Sequence, residues 1–151
     1  MAFRAGGKKI RAALGALAVI VVMAPAAIAE KYASIVVDAD TNEVLHARNA
    51  DEPRFPASLT KAMTLYMLFD ALKAGEVTFN ERLYVSRHAA SQPPSALRLK
   101  AGSTISVRDA IDSLITKSAN DVAAVVGERL GGTESRFATL MTAKANSLGM
   151  N

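Results

Sequence analysis

Apolar and polar positions change period several times along the chain, and each change marks an element. From Ala33 to Val37 the residues form a short apolar run, Asp40-Thr41-Asn42 supplies turn chemistry, and Val44 and Leu45 resume the run, which predicts a hairpin. Pro53 and Pro56 interrupt the chain. Leu65, Leu68, Phe69 and Leu72 then recur at helical spacing and Gly75 follows as a stop, predicting a long helix. Between Val77 and Ile105 the signals are short and mixed, with Pro93-Pro94 and Gly102 as turn markers, and predict loops with brief strands. Helical spacing returns after Ser106, which with Asp109 three residues later resembles a capping box, and its apolar stripe runs through Ile111, Leu114 and Ile115. A break at Ser118-Ala119-Asn120 separates this helix from a second, which Gly131-Gly132 ends; a third is predicted from Thr133 to about Asn146, with Gly149 beyond it.

No repeat, low-complexity tract or interdomain linker interrupts this order, and half of the 151 residues are hydrophobic, which suits one globular domain. A hairpin followed only by helices is an unfinished pattern. Two strands alone are marginal in water, so later strands or another chain are expected to cover them.

The formal charge of +4 does not indicate a nucleic-acid partner. Arg4, Lys8, Lys9 and Arg11 lie in the first 29 residues, which hold no acid, and the rest of the chain is balanced at 14 basic and 14 acidic residues. The basic start, the apolar stretch Ala12 to Met23 and the small-x-small pattern Ala27-Ile28-Ala29 read as an export signal over residues 1–29, cleaved before Glu30. An uncleaved anchor is the alternative, because Ala12 to Ala29 is free of charge. The chain has no cysteine, which excludes disulfides, thiolate metal sites and a lipid-modified cysteine at the junction.

Two short motifs carry candidate chemistry. Ser58 and Lys61 stand three residues apart where the long helix begins, so they share a face near free backbone N–H groups and the positive end of the helix dipole. An activated serine beside an amine suits acyl transfer, and free N–H groups suit an oxyanion. Lysine amines are ordinarily protonated at neutral pH, so a base at position 61 requires burial among apolar neighbours such as Ala62, Met63 and Leu65. The plainer reading is a serine N-cap followed by a solvated lysine. Chance placement of the serines and lysines in this chain gives about 0.6 Ser-x-x-Lys matches, so the motif alone carries no weight.

Ser118-Ala119-Asn120 sits between two helices, where side chains can project into a cleft. A hydroxyl there can relay a proton and an amide can orient a lysine and a peptide group, while the plainer reading makes Ser118 or Asn120 the cap of the next helix. His46 and His88 are the only histidines, lack ligand spacing and are expected to be exposed, which argues against a metal site and a Ser-His-Asp triad. Met63, Tyr66 and Met67 are read as core packing, and Lys117 as a solvated charge.

Taken together, "PASLTK" opening a helix, "KSAND" between helices and "ASIVVDADTNEVLHARNADEPRF" after an export signal resemble the N-terminal portion of serine-type D-alanyl-D-alanine carboxypeptidases, the low-molecular-mass penicillin-binding proteins of peptidase family S11. The likeness runs from about Lys31 to the end of the chain. It implies an α/β, serine β-lactamase/transpeptidase-like fold in which a helical cluster packs on an antiparallel sheet, with residues 30–151 as the first portion of that domain. It implies Ser58 as nucleophile, Lys61 as base, Ser118 as the second catalytic hydroxyl and Asn120 as a substrate-binding amide, without metal or cofactor. The implied substrates are peptidoglycan stem peptides, β-lactams are the implied acylating inhibitors, and the implied location is the periplasm or the outer face of the cytoplasmic membrane. A C-terminal amphipathic segment beyond Asn151 is the route to membrane association that the resemblance offers.

These enzymes carry a third motif, Lys-Thr-Gly, on a strand that helps bind the substrate's terminal carboxylate; these 151 residues contain none. The expectation is therefore a fragment or truncated product, incomplete at its C-terminus. Two alternatives stand beside this one. A class A β-lactamase shares both motifs, although its Glu-x-x-Leu-Asn element is not in the sequence. A non-catalytic envelope binding protein would also lack the third motif.

Overall fold

The computed structural model describes residues 32–150, so the expected export signal lies outside the described residues. The chain divides at Glu52 into two units.

In the first unit, β1 (Ser34–Val37) pairs antiparallel with β2 (Val44–Arg48), with Ser34 opposite Arg48, Val36 opposite His46 and an irregularity between Val36 and Val37. Asp38 builds the turn. One of its carboxylate oxygens accepts hydrogen bonds from the Thr41 N–H at 2.8 Å, the Thr41 hydroxyl at 2.9 Å and the Asp40 N–H at 3.1 Å, as aspartate does in turns of this type. Those donors, the Thr41 N–H first, hold the Asp38 carboxyl below the usual carboxylate range. Asn42 takes the left-handed conformation at φ 60°, which asparagine tolerates better than most residues. The strands and turn thus fall where the apolar pattern predicts, and Ile35, Val36, Val37, Val44 and Leu45 all remain exposed.

The second unit starts at Pro53 and contains the long helix α1 (Thr60–Ala74), preceded by a 3-10 turn at Ala57–Leu59. Next come β3 (Arg82–Tyr84), a one-turn helix α2 (Arg87–Ala90), β4 (Thr104–Ser106), and three helices: α3 (Val107–Thr116), α4 (Asn120–Gly131) and α5 (Glu134–Ser147). β3 and β4 pair antiparallel with Leu83 opposite Ile105. α4 packs against α1, α2, α3, α5 and β3, and its Val122, Ala124, Val125 and Val126 are buried, so it is the central element of the core. Leu68 of α1, Leu83 of β3, and Val107, Ala110 and Leu114 of α3 also belong to that core. Each fully buried aliphatic side chain contributes about 1.5–3 kcal/mol.

Helix termini follow the predicted signals. Gly75 adopts φ 76° after α1, where a residue with a Cβ would be strained. The Ser106 hydroxyl accepts the Asp109 N–H at 3.0 Å and donates to the Asp109 carboxylate at 2.6 Å. Thr133 caps α5 by accepting the Arg136 N–H at 3.1 Å.

Three features differ from the predictions. α1 buries Thr64, Leu68 and Ala71, with Leu65 and Leu72 at the edge of the core, whereas Phe69 and Tyr66 are exposed and Met63 and Met67 only half-buried. Tyr66 belongs to the surface because Lys144 of α5 covers its ring at 5.1 Å while ion-pairing with Asp70 at 2.6 Å. Ile115 also points outward, and the buried stripe of α3 is Val107, Ala110, Ile111 and Leu114. The third is α2, too short to show a period; Ser86 caps it by accepting the Ala89 N–H at 2.9 Å and donates to Glu128 of α4 at 2.7 Å.

α4 and α5 meet at glycines. A Cβ on Gly131 would lie 2.7 Å from both the Cβ and the backbone nitrogen of Phe137, a ring that is itself buried. Gly131→Ala is therefore expected to destabilise the fold by about 1–3 kcal/mol, because backbone must move to admit the methyl. Urea unfolding monitored by circular dichroism checks this, and an unchanged midpoint would contradict the packing described.

Candidate active site

The Ser58 hydroxyl does not cap α1. The 3-10 turn runs directly into the helix, whose N-cap is Leu59 without a side-chain capping bond. Ala57, immediately before Ser58, is held at φ 49°, a left-handed conformation costly for any residue with a Cβ. Ser58 is exposed, and its hydroxyl makes no hydrogen bond to another described residue.

Lys61, the second residue of α1, is half-buried, and its Nζ donates to Asn120 Oδ1 at 2.7 Å. Asn120 opens α4, but the N-cap of that helix is Ala119, again without a side-chain capping bond. Instead the Asn120 Nδ2 donates to the Pro93 carbonyl at 2.9 Å, and its backbone N–H donates to the Ser95 carbonyl at 2.6 Å. With Nδ2 committed to a carbonyl, the acceptor end of the amide must face Lys61. Two motifs 59 residues apart in sequence are thereby joined by a hydrogen bond.

Ser118 occupies the turn between α3 and α4 with φ 54°. Left-handed backbone at a non-glycine residue costs on the order of 1–3 kcal/mol and persists only where surrounding structure enforces it. Ser118 is half-buried, and its hydroxyl, like that of the exposed Ser58, has no described partner. Neither serine bonds to Lys61, whose amine is turned to Asn120. Lys117 is exposed, and its carbonyl accepts the Ser95 hydroxyl at 2.7 Å.

A cleft of about 220 Å³ borders Lys61 and Asn120, with Thr64, Gln92, Glu134 and Phe137 among its walls. Glu134 in turn holds His88 Nε2 at 2.5 Å, and that hydrogen bond is the main reason the imidazole titrates above its ordinary value, against a smaller opposing effect of desolvation. Both His46 and His88 are exposed, and among the described residues no three acidic or histidine side chains converge as metal ligands.

Sequence reasoning passed over Asp121. This carboxylate is 1% exposed; one oxygen accepts the Leu97 N–H at 3.0 Å and the Val122 N–H at 2.9 Å, and the other accepts the Leu99 N–H at 3.1 Å. It fastens the segment after Pro93-Pro94 to the start of α4, and so holds the carbonyls that orient Asn120. An acid in the first turn of a helix was the available signal, but that position is common enough to read as dipole compensation.

Comparison with known proteins gives a consistent result. The family model described as D-alanyl-D-alanine carboxypeptidase, peptidase S11, matches residues 20–151. D-alanyl-D-alanine carboxypeptidase DacF of Bacillus subtilis is 31% identical over 121 residues, which cover 80% of this chain and 31% of that protein. The structure of D-alanyl-D-alanine carboxypeptidase DacD from Francisella tularensis superposes with a TM-score of 0.75 at 35% identity, over 81% of this chain and 30% of the other. Penicillin-binding protein D2 of Listeria monocytogenes, in its cefotaxime-bound form, superposes at 0.67 with 35% identity, over 79% and 47%. The chain thus spans about a third of the length of the curated relative it matches. The fold is the serine β-lactamase/transpeptidase-like α/β fold that the sequence motifs imply. On the family match over most of its length, the chain belongs to the D-alanyl-D-alanine carboxypeptidase family, peptidase S11.

Proposed function

We propose that the whole protein is an exported serine D,D-carboxypeptidase that removes the terminal D-alanine from peptidoglycan stem peptides, working in the periplasm or at the outer face of the cytoplasmic membrane. One observation carries this reading: Lys61 and Asn120, from the two motifs, are hydrogen-bonded at 2.7 Å, while neither flanking serine is used as a helix cap. Capping was the plainer explanation for both motifs. Its absence leaves two hydroxyls without a described partner, one three residues before the lysine and the other two residues before the amide that holds it.

In this reading Ser58 Oγ attacks the carbonyl carbon of the penultimate residue and gives its proton to Lys61. The tetrahedral intermediate collapses as the C–N bond breaks, and the proton held by Lys61 passes through the Ser118 hydroxyl, which is restored, to the departing amine of D-alanine. Asn120 holds the substrate amide through the same group that orients Lys61. Water then attacks the Ser58 ester, releasing the shortened peptide and returning the hydroxyl. β-Lactams would acylate the same oxygen, as their binding to the Listeria relative supports.

The test is D-alanine release from a peptide ending in D-alanyl-D-alanine, measured on the whole protein and on its Ser58→Ala variant. Release by the parent and none by the variant is the expected result. Equal release by both would remove Ser58 from the mechanism.

A further inference from the structure

Beyond the Lys61 cleft lies a second, larger one of about 640 Å³, with Gln92, Ser95, Leu97, Arg98 and Lys117 in its walls. Arg98 and Lys117 are exposed, and neither has an ion-pair partner among the described residues. Their mounting is rigid. The N–H groups of Leu97 and Leu99, on either side of Arg98, both donate to the buried Asp121 carboxylate, and Arg98 between them is held at φ 60°. A strained non-glycine residue pinned on both flanks points to a task for its side chain. Lys117 is tied to the same segment, because its carbonyl accepts the Ser95 hydroxyl, and the Ser95 carbonyl accepts the Asn120 N–H at 2.6 Å. Two cations thus share one frame with the amide of the candidate active site.

We propose that Arg98 and Lys117 form an anion subsite that takes a carboxylate on the acyl portion of the peptide substrate, next to the Ser118–Asn120 edge. This rests on the carboxypeptidase reading. The peptide's terminal carboxylate belongs, by the resemblance, to the strand of the third motif, so the anion available to this cleft is one on the acyl side of the scissile bond. Arginine suits a carboxylate because its planar fork presents paired donors, and Lys117 adds a mobile charge on the opposite support. The pairing is solvent-exposed, so its contribution is modest and falls with salt.

The test is binding of two peptides to the whole protein carrying Ser58→Ala, which cannot turn them over. Both end in D-alanyl-D-alanine; one has a free side-chain carboxylate on the acyl side and the other has that carboxyl amidated. At low salt the acidic peptide is expected to bind about fivefold more tightly, shrinking toward parity in 0.5 M salt, on the order of magnitude of an exposed ion pair. Adding Arg98→Gln and Lys117→Gln should bring the ratio close to one, with the affinity for the amidated peptide serving as the control for folding. No preference in the parent, or an unchanged preference in the double substitution, would overturn the subsite. D-alanine release by the Ser58 protein is read separately, so a failure of the carboxypeptidase reading is distinguishable from a failure of the subsite.

Discussion

Lys61→Arg is expected to slow acylation of Ser58 by penicillin about 10²- to 10⁴-fold in the whole protein, the range ascribed to a positioned general base. Lys61→Ala should do the same. The arginine variant is the more informative of the two, since a guanidinium can still donate to Asn120 Oδ1 but cannot be deprotonated in a protein. If Lys61 only tied α1 to α4, arginine would preserve that link and the rate with it. Rapid-mixing measurements with a fluorescent penicillin check this, and an arginine variant within tenfold of the parent would show that Lys61 positions and does not exchange protons.

The second large effect concerns stability. Asp121→Ala would leave the N–H groups of Leu97, Leu99 and Val122 without their acceptor at a position that is 1% exposed. Hydrogen bonds to a charged group contribute about 1.5–3 kcal/mol each, and the losses overlap because one side chain serves all three, so a total of about 3–5 kcal/mol is expected. Asp121→Asn keeps one acceptor oxygen and should lose less. Denaturant unfolding of the parent and both variants measures the difference. A loss below about 1 kcal/mol for the alanine variant would mean that water replaces the carboxylate, and the segment near Pro93 would not be fastened as described.

The same residue shows where sequence reading stops. Signals confined to a few neighbouring residues were legible: the αL glycine after α1, the Ser106–Asp109 cap, the break at Ser118 and, to within a residue, the start of α5 all lie where the pattern puts them. Each depends on hydrogen bonds or backbone angles spanning at most four residues. The apolar stripe of α1 was legible in period but not in phase. A threonine and an alanine occupy two of its three buried positions, while Tyr66 and Phe69 remain exposed. Size and hydrophobicity alone would have ranked them the other way.

What tertiary structure imposes was not legible at all. Positive φ at Ala57, Arg98 and Ser118 contradicts local preference, so no local rule announces it. The partners of Asn120 lie 59, 27 and 25 residues away, at Lys61, Pro93 and Ser95. From sequence, Ser58 was a candidate cap for the first of these helices and Ser118 or Asn120 for the second, and the N-caps Leu59 and Ala119, which make no side-chain capping bond, decide against that role. The four candidate residues could be named from their motifs, whereas the hydrogen bond joining the motifs required the folded chain.

Intact mass measurement after incubation with penicillin, on the whole protein and its Ser58→Ala variant, tests the central claim most directly. The account predicts one penicillin added per molecule of the parent and none on the variant. An adduct that persists in the variant, or a parent that gains no mass, would contradict Ser58 as the acylated nucleophile.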